Sequence, residues 1–259
     1  GVYPQIYYPH NYHFLAATAT LEGNSVWAID AANKMARHVN HKGMLIPDLA
    51  TLQHYYTIPY FVKVKFGKWQ DILASAPVDT SLIYPAAIRH YARGMAYLGL
   101  KDIEHAKLEL IALQEIAAMD TLKKLTIWGI NSLYTVTDIA QKVLEGELLA
   151  AMGKTEESIM MLKEAVTLED LLNYNEPPDW FFSVRHHLGS VLLNAGKPEE
   201  AINVYLEDLD RFPKNGWALS ALTNAYKDSG QMELAAQTEA KFKEAWAHAD
   251  VKLAGSHVQ

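Results

Sequence analysis

The sequence contains no cysteine among its 259 residues, which excludes disulfide bonds, thiolate catalysis and cysteine-ligated zinc sites. It also has no uninterrupted apolar run of about 18 residues, so no segment is predicted to insert into a membrane. No block of lysine and arginine stands out, and the formal net charge is -7. This charge balance argues against binding to a nucleic-acid backbone.

Common catalytic motifs are missing as well. The sequence has no Gly-x-Ser-x-Gly, no His-Glu-x-x-His and no complete P-loop. The stretch that begins Gly153-Lys154-Thr155 resembles the end of a P-loop, but Leu149 stands where the first glycine of that motif is required. We therefore predict no catalytic residue, no cofactor and no bound metal.

What the sequence does contain is an internal repeat. Aligning "VRHHLGSVLLNAGKPEEAINVY" with "ALSALTNAYKDSGQMELAAQTE" places Gly196 on Gly230 and Ala201 on Ala235, a shift of 34 residues. The same pattern recurs upstream with longer spacings and gives six units in all. The six anchor positions are Ala28, Ile72, Ala106, Ser158, Ala201 and Ala235.

The residues at the repeated positions predict pairs of helices. Glycine and alanine let two helices approach closely, and apolar residues at intervals of three and four form one stripe on each helix. The second glycine of each unit, such as Gly196, falls where the first helix should end and suits a positive φ. Strand signatures are few. The predicted fold class is therefore all-α.

The repeat period, the small residues and a closing proline, Pro213, resemble the tetratricopeptide repeat superfamily. The second unit departs from it at Ile72, and the first lacks the usual tryptophan. The segments "YPHNYHFLAA", "FGKWQDIL", "HYARGMAY" and "NEPPDWFFSVRHHLG" resemble those of longer bacterial tetratricopeptide proteins. The resemblance implies a right-handed α-solenoid of about six helix-turn-helix repeats, forming one domain over residues 1–259. It also leads us to expect that the chain is the C-terminal half of a longer protein, and it implies no activity.

In tetratricopeptide arrays the first helix of each pair lines a concave groove where ligands lie. By this resemblance the partner-binding residues are His10, His13, His54, Tyr91, Glu147, His186, Trp217 and Asn224. We therefore expect a non-catalytic scaffold that binds a protein or peptide segment in the groove. The occupant could also be the chain's own N-terminal half or another subunit, including a second copy of the chain.

The groove histidines admit other interpretations. They could be structural groups hydrogen-bonded between neighbouring repeats. They could also bind a metal or small ligand, since His10 and His13 stand three residues apart and share one helical face. In that alternative the protein is a metal-dependent binder or an enzyme, with His54 from the next repeat and Glu147 as a carboxylate partner.

Three further segments carry predictions. In "NYNEPPDW" the double proline ends a helix, and Asp179 is predicted to cap the next one. Trp180 and Phe181 are predicted to anchor the start of that helix in the core. The final "AWAHADVKLAGSHVQ" is predicted to cap the stack and fray at its tip. Met160 and Met161 are assigned to helix packing.

Overall fold

The chain is helical almost throughout. The structure, a computed structural model, describes residues 2–258 and their side chains from Tyr8 onward. Within that range it contains twelve α-helices. Their bounds are α1 Val2–Leu21, α2 Ser25–His38, α3 Thr51–Lys65, α4 Trp69–Leu73, α5 Ile83–Gly99, α6 Ile103–Ala117, α7 Leu133–Ala151, α8 Thr155–Asp170, α9 Arg185–Asn194, α10 Pro198–Arg211, α11 Gly216–Asp228 and α12 Met232–Ala245. No helix in this range is both long and apolar enough to cross a bilayer.

Consecutive helices pair into six antiparallel hairpins over the described range, as the repeat predicted. Each anchor residue lies in the second helix of its hairpin and is at most 1% exposed. The predicted all-α class and the series of about six helix-turn-helix units are confirmed. Short 3-10 helices at Gly43–Leu45, Pro47–Leu49 and Asp120–Lys124 lie in the insertions between hairpins.

The repeated glycines have the two roles that their positions predicted. A Cβ added to Gly189 in α9 would lie 2.3 Å from Cζ of Tyr205 in α10, so only glycine permits this helix contact. Gly153 ends the α7 turn with a φ of +76°, a conformation that side chains with a Cβ rarely adopt. The spacing of the glycines therefore reflects both helix packing and helix termination.

The odd-numbered helices form an inner layer. α1 contacts α3, α3 contacts α5, and the series continues through α7 and α9 to α11. The even-numbered helices pack outside their hairpin partners. Because the odd-numbered helices are the first of each pair, residues on their shared side face one interior.

The first and last hairpins also contact each other. Nε1 of Trp217 in α11 donates to the carbonyl of Thr20 in α1 at 2.8 Å. The carboxylate of Asp250 accepts from the backbone N–H groups of Ser25 and Val26 at 2.7 and 3.0 Å, at the start of α2. The array is therefore closed between its two ends, which the repeat did not predict.

Residues 253–258 fold back onto the helices, and Gln259, the last residue of the tip predicted to fray, lies outside the described residues. Leu253–Ala254 (β3) and His257–Val258 (β4) form a small antiparallel hairpin, which we call the C-terminal hairpin. Ser256 at its turn is 1% exposed, and its Oγ donates to the carbonyl of His186 at 2.8 Å. A second such pair, Thr126–Ile127 (β1) and Asn131–Ser132 (β2), precedes α7. Local sequence did not reveal either pair, because each strand is two residues long.

One packing prediction is also wrong. Met160 is 58% exposed on the outer side of α8, whereas Met161 is partly buried. The helix turns by about 100° per residue, so two adjacent methionines cannot both lie on its buried face.

Candidate functional site

The interior between the inner helices is filled by residues 173–184, which we call the central segment. It connects α8 to α9. Trp180 and Phe181 are 3% and 4% exposed. The Trp180 ring lies 5.4 Å from Phe61 and 5.6 Å from Tyr91, and Phe181 stacks on His13 at 5.4 Å. The two rings are core residues, as predicted, but they bury against α1, α3 and α5.

Asp179 holds the central segment in place and does not cap a helix. Its carboxylate accepts from the side-chain amides of Asn131 and Asn175, both at 2.7 Å. α9 begins six residues later, at Arg185, so the predicted capping role of Asp179 is wrong. Instead, Oε2 of Glu169 accepts from the backbone N–H of Val184 at 2.9 Å. Each asparagine binds a different oxygen of Asp179, and Asn131 is 48 positions away in the sequence.

Two buried imidazoles meet beside the central segment. His13 and His54 are 3% and 0% exposed, with ring centroids 5.7 Å apart. Nδ1 of His54 is hydrogen-bonded to the hydroxyl of Tyr84 at 3.0 Å, whereas both Nε2 atoms have no partner. Burial lowers the pKa of His54 to about 3. Burial, followed by His54 and His10, lowers the pKa of His13 well below its ordinary value. Both rings are therefore neutral at pH 7.

A buried polar network joins α3, α9, α10 and α11. Nζ of Lys65 donates to Nδ1 of His186 at 2.7 Å. Nε2 of His186 lies 3.0 Å from Nδ2 of Asn215 and 3.4 Å from Oδ2 of Asp208. Asn215 donates to the same Asp208 oxygen at 2.7 Å. Burial lowers the pKa of Lys65 to about 7, although Asp208 opposes the shift. Burial raises the pKa of Asp208, but His186 and Asn215 outweigh it and the net shift is downward.

A second charged cluster surrounds Arg185. Its guanidinium makes two parallel hydrogen bonds to Asp170 at 2.8 and 2.9 Å and a third to Glu207 at 3.1 Å. Glu169 lies 3.9 Å from the same guanidinium. Burial nevertheless raises the pKa of Glu169 to about 7.

A cavity of about 480 Å³ opens beside the central segment. Its apolar wall includes Trp180, Phe181 and Phe182, and α1 contributes Ala17 and Leu21. Polar groups from the central segment and the neighbouring helices complete the wall, namely Glu169, Asp170, Asn173, Tyr174, Asn175, Glu176, Asp179, Ser183, His186, Arg211 and Asn215. The volume and the mixed lining are those of a ligand site.

The eight residues predicted to bind a partner lie mostly inside the molecule. Five of them are at most 3% exposed, namely His13, His54, Tyr91, His186 and Trp217. His10 is partly buried against Phe14, with ring centroids 4.9 Å apart. Asn224 is exposed on α11, near Gly255 of the C-terminal hairpin. The central segment and the C-terminal hairpin occupy the interior that the buried residues face. A role of the eight residues in partner binding therefore stays a prediction.

Of the predicted alternative metal ligands, only His13 and His54 are near neighbours, with ring centroids 5.7 Å apart. Glu147 lies with His187, whose Nδ1 is 2.6 Å from Oε1 of Glu147. His10, His13 and His54 do not belong to any cluster of three or more histidine and acidic side chains within metal-binding range in the described part of the chain. The ligand set proposed from the sequence, His10, His13, His54 and Glu147, is therefore wrong. That proposal assumed an open groove, whereas Phe181 of the central segment stacks on His13.

Sequence reasoning missed several groups of this interior. Lys65, Glu169 and Asp208 look like ordinary surface charges of amphipathic helices, and no local pattern marks them as buried. His187 follows the predicted residue His186, but its ring contacts Glu147, whereas the ring of His186 contacts Lys65. Their burial depends on contacts between distant parts of the chain, such as that of Lys65 with His186, 121 positions away, and a repeat pattern does not record such contacts.

Comparisons with known proteins add little. No family model matches the chain, and no curated protein matches it. Among solved structures, a chain described as a kinesin light chain from Podosopora anserina with nearly identical TPR-like repeats overlaps with a TM-score of 0.46. The two chains are 14% identical, with 92% of this chain and 94% of the other covered. We assign the fold from the helices of this chain, because an overlap at this level establishes no relationship.

Proposed function

We propose that the chain is a non-catalytic helical-repeat scaffold that binds an extended, basic protein segment in the 480 Å³ cavity. The observation that carries the proposal is the composition of the cavity wall. Aromatic rings of the central segment form an apolar surface, and side-chain amides and carboxylates surround it. His186 is the one predicted partner-binding residue that contributes to this wall.

The polar groups of the wall suit a peptide. Nδ2 of Asn175 donates to Asp179 and Nδ2 of Asn173 donates to the Ile130 carbonyl, so each amide keeps one N–H for a ligand. Such N–H groups suit the carbonyls of a peptide backbone. Tyr174 is 81% exposed at the mouth, where an aromatic ring can cover a bound chain without losing many rotamers. An extended segment would pair its backbone with these amides and place an apolar side chain against Phe181.

The charge of the wall favours a basic segment. Four acidic residues line the cavity, Glu169, Asp170, Glu176 and Asp179, against the single arginine Arg211. Arg211 is already paired with Asp170 at 2.7 Å. Arg185 also binds Asp170, and burial raises the pKa of Glu169 to about 7. The carboxylate that a lysine or arginine of the bound segment would meet is therefore chiefly that of Glu176, which gives selectivity and a faster association rate.

Selection from a library of random displayed peptides tests the proposal, followed by fluorescence anisotropy with the selected peptides. We expect enrichment of lysine or arginine beside an apolar residue. Glu176→Lys should weaken binding about tenfold, or about 1.4 kcal/mol, and Tyr174→Ala should do the same. The matched control is Glu199→Lys, an exposed acidic residue on the outer helix α10.

Both test residues are exposed, so neither variant should change the melting temperature. No enriched peptide, or equal binding by wild type and Glu176→Lys, would reject this site. Self-association that blocks the selection would instead identify a second copy of the chain as the occupant. Membership among the longer bacterial tetratricopeptide proteins, with an N-terminal half that covers the cavity, is the remaining alternative.

A further inference from the structure

Three side chains from distant parts of the sequence meet at the C-terminal hairpin. Glu147 comes from α7, His187 from α9 and His257 from β4. One potential ligand atom of each lies within 4.8 Å of the other two. No other cluster of this type with three or more members occurs among the side chains of residues 8–258.

The three side chains are ordered before any ion binds. Nδ1 of His187 is hydrogen-bonded to Oε1 of Glu147 at 2.6 Å, and the rings of His187 and His257 meet edge to face at 5.7 Å. Ser256, which precedes His257, is fixed by its hydrogen bond to the carbonyl of His186 at 2.8 Å. Lys65 donates to the Ser256 carbonyl at 3.3 Å. These neighbours hold the ligands in place, as the surroundings of metal ligands do.

Space remains for one further ligand. A cavity of about 40 Å³ adjoins His187 and His257, and its other walls include Tyr91, Met95 and Trp180. This is enough for one water molecule. A wall that is largely apolar also limits exchange with bulk solvent and strengthens bonds between an ion and its ligands.

We propose that Glu147, His187 and His257 bind one zinc-type divalent transition ion. Two imidazole nitrogens and one carboxylate oxygen are ligands that Zn²⁺ accepts in a tetrahedral site, and water takes the fourth position. Bonds of about 2.0–2.1 Å require ligand atoms about 3.3 Å apart. The pair now hydrogen-bonded at 2.6 Å must open slightly, and no pair needs to close by more than about 1.5 Å, because all ligand atoms lie within 4.8 Å of one another.

The ligand chemistry favours zinc over calcium or magnesium. Hard cations prefer sites built from oxygen atoms, whereas imidazole suits zinc, copper and nickel. Lys65 lines the same small cavity, and its charge opposes any divalent cation, so the bonds to the two imidazoles must supply the affinity. The ion would join α7 and α9 to the C-terminal hairpin. The site shares none of its three ligands with the peptide cavity, so either can fail without the other.

Calorimetric titration of tag-free, chelator-treated protein with Zn²⁺ tests this site. We expect one ion per chain and a melting temperature that rises with zinc. His257→Gln and Glu147→Gln should each weaken binding at least about tenfold. His248→Gln is the matched control, because His248 is an exposed histidine close to the C-terminal hairpin and outside the cluster.

Co²⁺ titration gives an independent readout, because four-coordinate Co²⁺ absorbs visible light far more strongly than hexaaqua Co²⁺. Wild type should develop these bands and His257→Gln should not. Circular dichroism and the zinc-free melting temperature show whether each variant is folded. Absence of stoichiometric zinc binding by the wild type, or equal affinity in wild type and folded His257→Gln, would overturn the site. Binding that is lost in His248→Gln would likewise assign zinc to other residues.

Discussion

Replacing His54 with glutamine should make the stability of the protein less sensitive to acid. The His54 ring is fully buried in α3, 5.7 Å from the ring of His13. Its Nδ1 is hydrogen-bonded to the Tyr84 hydroxyl, and glutamine retains the ability to make such a bond. Glutamine does not titrate, so the variant removes the proton-binding group and keeps a polar side chain.

The size of the effect follows from the pKa of His54. Burial lowers this pKa from 6.5 to about 3 in the folded protein. Between these values the unfolded chain binds a proton that the folded chain does not, so stability is lost as the pH falls below 6.5. From pH 7 to pH 5 this one histidine costs about 2 kcal/mol in the free energy of unfolding. Groups whose pKa shifts oppose this loss, such as Glu169, contribute equally to wild type and variant.

Urea denaturation at pH 7 and pH 5, followed by tryptophan fluorescence, measures the difference. Between the two values wild type should lose about 2 kcal/mol more than His54→Gln, whatever the variant costs at pH 7. His248→Gln, at an exposed position, should behave as wild type. If wild type and His54→Gln lose stability in parallel, His54 does not become neutral on folding and the assigned burial is wrong.

Three further substitutions test the packing, each by urea denaturation at pH 7. Phe181→Ala should cost about 3–5 kcal/mol because it empties the centre of the interior, and a loss below about 1 kcal/mol would contradict the central position of the ring. Asp250→Asn should cost about 1 kcal/mol by weakening the contact with α2, whereas the exposed Asp228→Asn should cost less than about 0.5 kcal/mol. Gly189→Ala should cost about 1–3 kcal/mol, since the new methyl would meet Tyr205. A neutral result would show that α9 and α10 can separate.

The sequence predicted those parts of the fold that the repeat determines. Gly196 and Gly230 end their helices with φ values of +70° and +77°, and the anchors Ala201 and Ala235 are buried between paired helices. These features depend on contacts within one hairpin, so the same residue types recur at the same positions in successive repeats. The inward position of His13 and His54 follows from the same rule.

The filled interior could not be predicted in this way. The contact of Phe181 with His13 joins positions 168 residues apart and occurs once in the molecule, so no repeat marks it. The same holds for His257, which reaches Glu147 and His187 only after the C-terminal hairpin folds inward. Sequence patterning located the inner helix faces correctly but gave no indication of what covers them.

The contact between the two ends changes how the protein should lose its structure. In an open solenoid the terminal repeats detach first, and stability is close to a sum over neighbouring units. Here Trp217 and Asp250 bind the last hairpin to the first, so neither terminal unit is free to detach alone. Removing α12 and the residues after it would uncover α2 at the opposite end of the chain. The six hairpins are therefore expected to melt together, with the cooperativity of a globular enzyme of the same size.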